Sequence, residues 1–369
     1  MIYKFKQKIL AFVGRHKKIK YWLMVILRSG NSEWVNDVIH VWNSWNSVTA
    51  EHKGEKNKGE ILYDIQYAGE VGFMCTVLSV LYNLWYADRF YMKPIVTVHN
   101  ALYEEEEPVN GATQFWEYYF KPCSEFNVND LKGSFTVVSY RRKNYAELAQ
   151  LWGQYEEEKY RLSENAINDL GRIYGKYVSL NDTMSGKIKG DIRTLLNGKR
   201  TLGVHIRRGD MLANIDHHPI PPEIDDFIEA TNCALNSFDF EQIFLATSDK
   251  NSVEEFRKVY GEKMVTYSDI VRTEGIQTVY ETEDNRKNRK YMSGVDVLRD
   301  AYTLAACDGF IACLSNVSAV AKIIKVASGK KFEYLYTVDK GINHNSTSAY
   351  AINKRIFRNM KRMEKQNKL

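Results

Sequence analysis

From Thr201 onward, short apolar runs alternate with longer segments whose apolar residues recur at helical spacing. The runs LGVHI, EQIFLATSD, KMVTYSD and GFIACLSN have the length and composition of buried strands. Between them lie segments such as PPEIDDFIEATNCALNSF and NSVEEFRKVYG, the second with Asn251 or Ser252 as its expected cap. Apolar strands that alternate with helices are typical of a doubly wound parallel sheet. We therefore predict an α/β domain over residues 196–345.

A shorter series of the same kind precedes this domain. The stretch from ILYDIQYAGEVG to PIVTVH predicts a strand, a glycine-containing loop, a helix from about Phe73 to Arg89 and a second strand. That order is a parallel βαβ unit. Since 369 residues suffice for two cores, we predict a first α/β domain over residues 56–195.

The remainder of the first domain has a weaker pattern. Residues 145–178 predict a long helical region that Gly153 interrupts, with Ser163 as the cap of a new helix. The polar, glycine-containing residues 179–191 predict a connecting loop between the two domains. Two α/β halves that face each other leave a cleft, and open α/β sheets bind ligands beyond the carboxyl ends of their strands.

The two ends of the chain are basic, whereas its middle is acidic. Residues 1–31 carry eight lysines and arginines and no acid, and residues 354–369 carry seven against one glutamate. The ends together hold about +14, which leaves about −9 for the middle of a chain of net charge +5. Enzymes of nucleic acids usually place basic surface on the folded body, so no nucleic-acid partner is predicted.

The basic arm at residues 1–55 and the basic helix at residues 346–369 fit two surroundings. Lysines mixed with aromatic and aliphatic residues suit an anionic membrane surface, and they suit equally a solvated helix packed on the body. No segment reaches the roughly 20 apolar residues of a membrane span, and no signal-peptide cleavage site is visible. Five scattered cysteines without CxxC spacing indicate a reducing compartment. The expected location is cytoplasmic, peripheral on the inner face of the plasma membrane if the ends bind lipid.

Polar side chains follow three strands of the second domain at the point where each strand ends. The three clusters are His205, Arg207, Arg208 and Asp210, then Thr247, Ser248 and Asp249, then Ser315, Asn316 and Ser318. Asp300 lies in the helix before the third of these strands. Because parallel strands end at one edge of a sheet, we expect the clusters to converge there.

Two adjacent arginines suit a diphosphate, since a guanidinium is always charged and offers a planar fork to phosphate oxygens. Successive side chains of an extended segment point to opposite sides, so one of Arg207 and Arg208 can face the cleft while the other braces Asp210 or a neighbouring loop. Hydroxyls and backbone N–H groups at the helix that follows Ser315 can also bind an anion. The alternative is that the arginines form structural salt bridges and His205 is a core histidine.

No metal site is predicted. His217 and His218 are adjacent, without further ligands at metal spacing, and the chain lacks the Asp-x-Asp pair of many sugar-nucleotide enzymes. The tripeptide Arg208-Gly209-Asp210 follows a buried strand directly, which argues against a role in adhesion.

The segments GVHIRRGD, IFLATSD and VLRDAYTLAACDGFIACLSNVSAV occur in the order of the three motifs of the fucosyltransferase superfamily. The resemblance covers about residues 200–325, and the stretch that contains Gly72 is similar to the family's first strand, loop and helix. It implies a GT-B-like fold, in which two Rossmann-like α/β domains face a cleft. The first domain would then be the acceptor side and the second would bind the nucleotide sugar.

The resemblance also implies an activity: inverting, metal-independent transfer of fucose from GDP-fucose to a glycan hydroxyl, with no cofactor. Arg207 would bind the β-phosphate and stabilise the departing GDP, while Ser315 would meet the phosphates. His205 and Asp300 would contact the guanosine, and Asp249 would lie near the nucleoside or support its loop. The remaining donor-site candidates are Arg208, Asn316, Ser318 and Gly72.

The catalytic base is left open by the sequence. Asp216 is the nearest acid after the first motif, with His217, His218 and Asp210 as rivals. Together with the basic ends, the resemblance predicts a bacterial enzyme of surface polysaccharide or glycolipid synthesis. One alternative is a GT-B glycosyltransferase that uses another nucleotide sugar. The other is a non-catalytic glycan- or nucleotide-binding protein.

Overall fold

The described part of the chain contains two α/β units, each built on a mainly or wholly parallel sheet. The structure is a computed structural model and describes residues 48–140, 156–158, 160–213, 215, 218–280 and 282–343. Most of the predicted arm and the whole predicted C-terminal helix therefore lie outside the described residues, as do residues 145–155 of the helical region predicted at residues 145–178.

The first unit is a four-stranded sheet with its long helix on one face. Its elements are β1 (Val48–Glu51), β2 (Leu62–Gly69), α1 (Phe73–Arg89), β3 (Lys93–Asn100), α2 (Phe115–Tyr119), α3 (Val128–Leu131) and β4 (Val137–Tyr140). The strand order is β1-β4-β2-β3, with β2 parallel to both of its neighbours and β1 antiparallel to β4. The predicted βαβ unit is confirmed, and α1 has the predicted bounds.

A small hairpin and two helices connect the units. They are β5 (Glu156–Glu158), β6 (Arg161–Leu162), α4 (Glu164–Tyr177) and α5 (Asp182–Leu196). Ser163 caps α4, as predicted, because its hydroxyl accepts from the backbone N–H of Ala166 at 3.1 Å.

The prediction of a loop at residues 179–191 is wrong, because helix α5 begins at Asp182. Asn181 caps the helix by accepting from the N–H of Met184 at 2.9 Å, and Met184 and Ile188 are buried one turn apart. A Cβ added at Gly186 or Gly190 would meet no atom within 4 Å, so both glycines lie on the open side. The packing of one narrow apolar stripe outweighs the low helix propensity of the glycines.

The second unit is a five-stranded parallel sheet that helices cover on both faces. Its elements are β7 (Thr201–Ile206), α6 (Ile224–Ser237), β8 (Gln242–Thr247), α7 (Lys250–Tyr260), β9 (Met264–Val265), α8 (Arg289–Ala306), β10 (Gly309–Cys313), α9 (Asn316–Ala327) and β11 (Tyr334–Val338). The order β11-β10-β7-β8-β9 is that of a doubly wound Rossmann-type sheet. The chain reverses direction across this sheet between β7 and β10, which makes that pair the topological switch point.

The carboxyl edges of the two sheets meet each other. The loop after β3 contributes Glu105, whose carboxylate accepts from the N–H of Tyr291 at 3.0 Å in the first turn of α8. Behind this contact α1, α4, α8 and α9 share the largest apolar core. Gly294 allows the close approach, because a Cβ there would lie 2.2 Å from the hydroxyl of Tyr119. The predicted GT-B-like arrangement of two Rossmann-like units is confirmed, while the exact domain boundaries stay predictions.

No helix in the described ranges is both long enough and apolar enough to cross a membrane.

Candidate functional site

The switch point between β7 and β10 is the expected ligand position in a sheet of this order. Strand β7 ends in His205 and Ile206, and β10 ends in Cys313, directly before Ser315 caps α9. The first and third polar clusters of the sequence therefore lie side by side at the carboxyl edge. The second cluster follows β8, which is the next strand along.

His205 is a buried hub that joins the first cluster to the third. Its Nδ1 lies 2.9 Å from the hydroxyl of Ser318 and 3.3 Å from that of Ser315. Ser315 in turn accepts from the N–H of Ser318 at 3.0 Å. Burial, together with the smaller effect of the charge of Arg207, lowers the pKa of His205 to about 3. The imidazole is therefore neutral at physiological pH and acts through hydrogen bonds.

Arg207 directly follows β7 and precedes a short 3₁₀ turn, Gly209–Ala213. Its guanidinium holds the carboxylate of Asp210 through two contacts of 2.5 and 2.7 Å. The turn needs a residue of positive φ at Gly209, where φ is 58°. The Arg207 side chain keeps 32% of its surface exposed, so its fork is held by one carboxylate at a solvent-accessible site.

Arg208 points away from Arg207, as an extended segment requires. Its guanidinium donates to the carbonyl of Pro222 and, at 3.0 Å, to the carboxylate of Glu223. Only 11% of the Arg208 side chain is exposed. It braces the segment before α6, which is the neighbouring-loop role that the sequence allowed for one of the pair.

Asp249 is a helix cap in the second cluster. Its carboxylate accepts from the N–H of Ser252 at 3.0 Å and from the hydroxyl of the same serine. Its own N–H donates to Thr247 at 3.1 Å, and the side chain is buried. The expectation of Asn251 or Ser252 as the cap of α7 is wrong by two or three residues, because the cap falls directly at the strand end. Of the two roles predicted for Asp249, this geometry fits loop support.

Asp300 is a half-buried carboxylate on α8 that makes no hydrogen bond or ion pair within the described part of the chain. Burial raises its pKa to about 8, and the charge of Asp296 one turn earlier adds to the rise, while Arg272 and Arg299 oppose it. Arg272, in the segment after β9, opposes the rise in the pKa of Asp300 most strongly. Its guanidinium donates instead to the hydroxyl of Thr266 at 2.8 Å and to the carbonyl of Tyr267 at 2.7 Å.

A charge network that sequence reasoning missed surrounds the middle of α8. Arg299 donates to Asp269 through two bonds of 2.7 and 2.9 Å, and it contacts Asp296 at 3.3 Å. Arg286 completes the network by pairing with Asp284 and, at 2.9 Å, with Asp296. The spacing of Asp296 and Arg299 along one helix is the signal that the sequence offered, whereas the partners come from distant loops.

A pair of tyrosines, also missed by the sequence, crosses between the two units. Tyr103 follows β3, Tyr280 lies between β9 and α8, and their hydroxyls are 2.5 Å apart. Both lie near Arg207, whose charge acts on both phenols. No sequence signal joins two residues 177 positions apart.

The remaining predicted residues have simpler positions. Gly72 caps α1 at the edge of the first sheet, and a Cβ there would meet no atom within 4 Å. Asn316 is the first residue of α9. Asp216 and His217 lie outside the described residues, and the carbonyl of His218 accepts from Asn343 at 2.8 Å. Over the ranges that the structure covers, no three His, Cys, Asp or Glu side chains form a group fit to hold a metal ion.

No protein-family model matches the sequence, and no curated protein matches it either. Among solved structures, the chain is similar in fold to NodZ α1,6-fucosyltransferase co-crystallised with GDP, at 15% identity and a TM-score of 0.45, over 72% of this chain and 92% of that one. NodZ from Bradyrhizobium matches at 15% identity and a TM-score of 0.43, over 72% of this chain and 93% of that one. POFUT1 in complex with GDP matches at 14% identity and a TM-score of 0.45, over 77% of this chain and 99% of that one.

Both proteins in these three structures, NodZ and POFUT1, are fucosyltransferases, the family whose motifs the sequence resembles. At such low identities and TM-scores, the matches assign no role to any residue of this chain.

Proposed function

We propose that this protein is a glycosyltransferase that transfers fucose from GDP-fucose to a glycan hydroxyl, with inversion and without a metal ion. The observation that carries the proposal is the contrast between two charged groups near the carboxyl edge of the second sheet. Within the described residues, Arg207 is a cation with one carboxylate partner, the partly exposed Asp210, and Asp300 is a half-buried carboxylic acid without a partner. A guanosine diphosphate offers an anion to the first and N–H donors to the second.

The chemistry places its main demand on the departing nucleotide. Breaking the bond between sugar and phosphate leaves negative charge on the β-phosphate and an oxocarbenium-like sugar. A fixed guanidinium stabilises that charge, most strongly where surrounding protein excludes water. The fork of Arg207 suits this role because phosphate oxygens can replace the carboxylate oxygens of Asp210 in the same geometry.

Specificity for the base would come from Asp300. Guanine presents two adjacent N–H donors on its Watson–Crick edge, and the carboxylate of Asp300 accepts both when it is ionised. Because burial raises the pKa of Asp300 to about 8, guanine binding would release a proton from it. Uracil and cytosine do not present that pair. The donor sugar itself is taken from the resemblance of the three motifs to fucosyltransferases rather than from these two side chains.

The base that accepts the acceptor's proton stays a prediction from the sequence. Asp210 is held by both terminal nitrogens of Arg207, so it becomes free to act only when a phosphate takes its place. The predicted alternative, Asp216, is outside the described residues. The cytoplasmic location, the contact of the basic ends with an anionic membrane and the role in bacterial surface glycans are likewise sequence-based proposals.

Calorimetry with GDP, UDP and CMP tests the proposal, on the wild type and on Arg207→Ala. We expect a preference for GDP, and a loss of about 10- to 100-fold in GDP affinity in the variant, because hydrogen bonds to a charged group are lost. The matched control is Arg161→Ala, which removes an Arg–Asp pair of similar geometry and exposure between Arg161 and Asp339.

Two results would contradict the proposal: no nucleotide binding by the wild type, or equal losses in Arg207→Ala and Arg161→Ala. A donor screen then decides the sugar, since hydrolysis of GDP-mannose without hydrolysis of GDP-fucose would exclude fucose as the donor sugar.

A further inference from the structure

The hydroxyls of Tyr103 and Tyr280 form one end of a hydrogen-bond chain that begins in the first sheet's helix. The backbone N–H of Phe73, the first residue of α1, donates to the hydroxyl oxygen of Tyr103 at 3.1 Å. The hydroxyl of Tyr103 then meets that of Tyr280 at 2.5 Å. Helix α1 has 17 residues, so its N-terminus carries the positive end of a well-developed helix dipole.

The direction of the protons in this chain follows from burial. Tyr103 is only 2% exposed, and its oxygen already accepts from Phe73. Its own proton needs an acceptor, because a buried hydroxyl left unpaired is costly, and within the described residues the oxygen of Tyr280 provides it. Tyr280 therefore accepts from Tyr103, and its own proton is left to donate elsewhere. With 36% of its surface exposed, Tyr280 can present that proton to a ligand.

The segment that contains Tyr280 is packed against the turn Gly209–Ala213, which follows Arg207. A Cβ added to Gly209 would lie 3.4 Å from the hydroxyl of Thr273 and 3.8 Å from the carbonyl of Gln277. Burial raises the pKa of both phenols, and the charge of Arg207 lowers both by less. Both tyrosines are thus neutral donors at physiological pH, next to the guanidinium assigned to the phosphate.

We propose that Tyr280 donates a hydrogen bond to the diphosphate of the nucleotide bound at Arg207, and that Tyr103 is a positioning residue that orients and polarises this donor. The inference rests on the proposed function. The proton stays on Tyr280 throughout, and the bond strengthens as charge develops on the phosphate. The first sheet thereby contributes to the stabilisation of a leaving group that the second sheet binds.

The test compares GDP with GMP in calorimetry, because GMP lacks the terminal phosphate. Tyr280→Phe removes only the donor, so we expect about a 10-fold loss of affinity for GDP and no more than a twofold loss for GMP. The matched control is Tyr302→Phe, which removes another bond between two tyrosines, 2.6 Å long, between Tyr174 on α4 and Tyr302 on α8. That control should bind both nucleotides like the wild type.

Tyr103→Phe separates positioning from direct contact. We expect a smaller loss of GDP affinity, about threefold, since Tyr280 keeps its hydroxyl but loses its orienting partner. The double variant should bind GDP like Tyr280→Phe alone, because Tyr103 acts through Tyr280. Thermal unfolding of each variant shows whether it is folded at the temperature of the titration.

The outcomes separate the two proposals. A wild type that binds GDP, together with Tyr280→Phe that binds it equally well or loses GMP to the same degree, would overturn this inference and leave the proposed function standing. A wild type that binds no GDP would overturn both. Additive losses in the double variant would overturn the positioning role of Tyr103.

Discussion

Arg207 and Arg299 are both held by carboxylates, yet the two sites differ in what a ligand can reach. Arg299 is 4% exposed and contacts Asp269, Asp296 and Asp191, and its guanidinium also lies 4.1 Å from the ring centre of Tyr267. In the described ranges Arg207 pairs with one carboxylate, that of Asp210 three residues along the chain, and its side chain is 32% exposed.

The difference shows how to read a cluster of charges in this fold. A buried guanidinium that several carboxylates and an aromatic ring surround is out of reach of a ligand, and removing Arg299 takes a cation from the buried carboxylate of Asp296. A guanidinium with one exposed partner can exchange that partner for a phosphate at small cost. The α8 network is therefore assigned to stability, and the turn after β7 to binding.

The largest effect should come from breaking the enclosed site. Arg299→Ala removes the cation that Asp296 and Asp269 share and leaves the buried Asp296 with Arg286, and we expect about 3 kcal/mol less free energy of unfolding, the lower end of the cost of breaking a buried ion pair. Urea denaturation measures it, with Arg207→Ala as the comparison, for which we expect a loss of about 1 kcal/mol or less. Equal losses in the two variants would mean that the proposed contrast between the sites does not hold.

Asp300 extends the comparison because it lies one turn from the paired Asp296 but has no partner among the residues that the structure describes. Its pKa of about 8 in the folded protein exceeds the unfolded value of about 3.9, so the folded state binds the extra proton between these limits. The stability of the wild type relative to Asp300→Asn should be greatest at low pH and fall as the pH rises, by about 1 kcal/mol per unit between pH 5 and pH 7. Urea titrations at several pH values would show no such difference in slope if Asp300 were ionised throughout.

The smallest effect is expected at the second arginine of the first motif. Glu223 is 76% exposed where it meets Arg208, so Glu223→Gln should change the free energy of unfolding by less than about 0.5 kcal/mol. GDP affinity should not change, because Arg208 points away from Arg207. A marked loss of GDP affinity in this variant would place Arg208 in the binding site and remove the division between the two arginines.

The elements that the sequence predicted correctly share a local signal. Helix α1 has 13 buried residues among its 17, and every residue of β7, β8 and β10 is buried. The missed helix α5 has a mean composition close to that of a loop, with Gly186 and Gly190 in its middle. Its three buried residues are recognisable as a stripe only once the surface they pack against is known.

The alternation of buried strands and helices by itself determined the doubly wound second sheet, and with it the convergence of His205, Arg207 and Ser315 at one edge. The same local rule set Arg207 and Arg208 on opposite sides of the chain. Only the tertiary structure decided that, within the described residues, Asp300 lacks a partner while Asp296 pairs with Arg286 and Arg299, and that Tyr103 meets Tyr280 across 177 residues. Periodicity is a property of neighbouring residues, whereas these pairings depend on how two separately built sheets pack against each other.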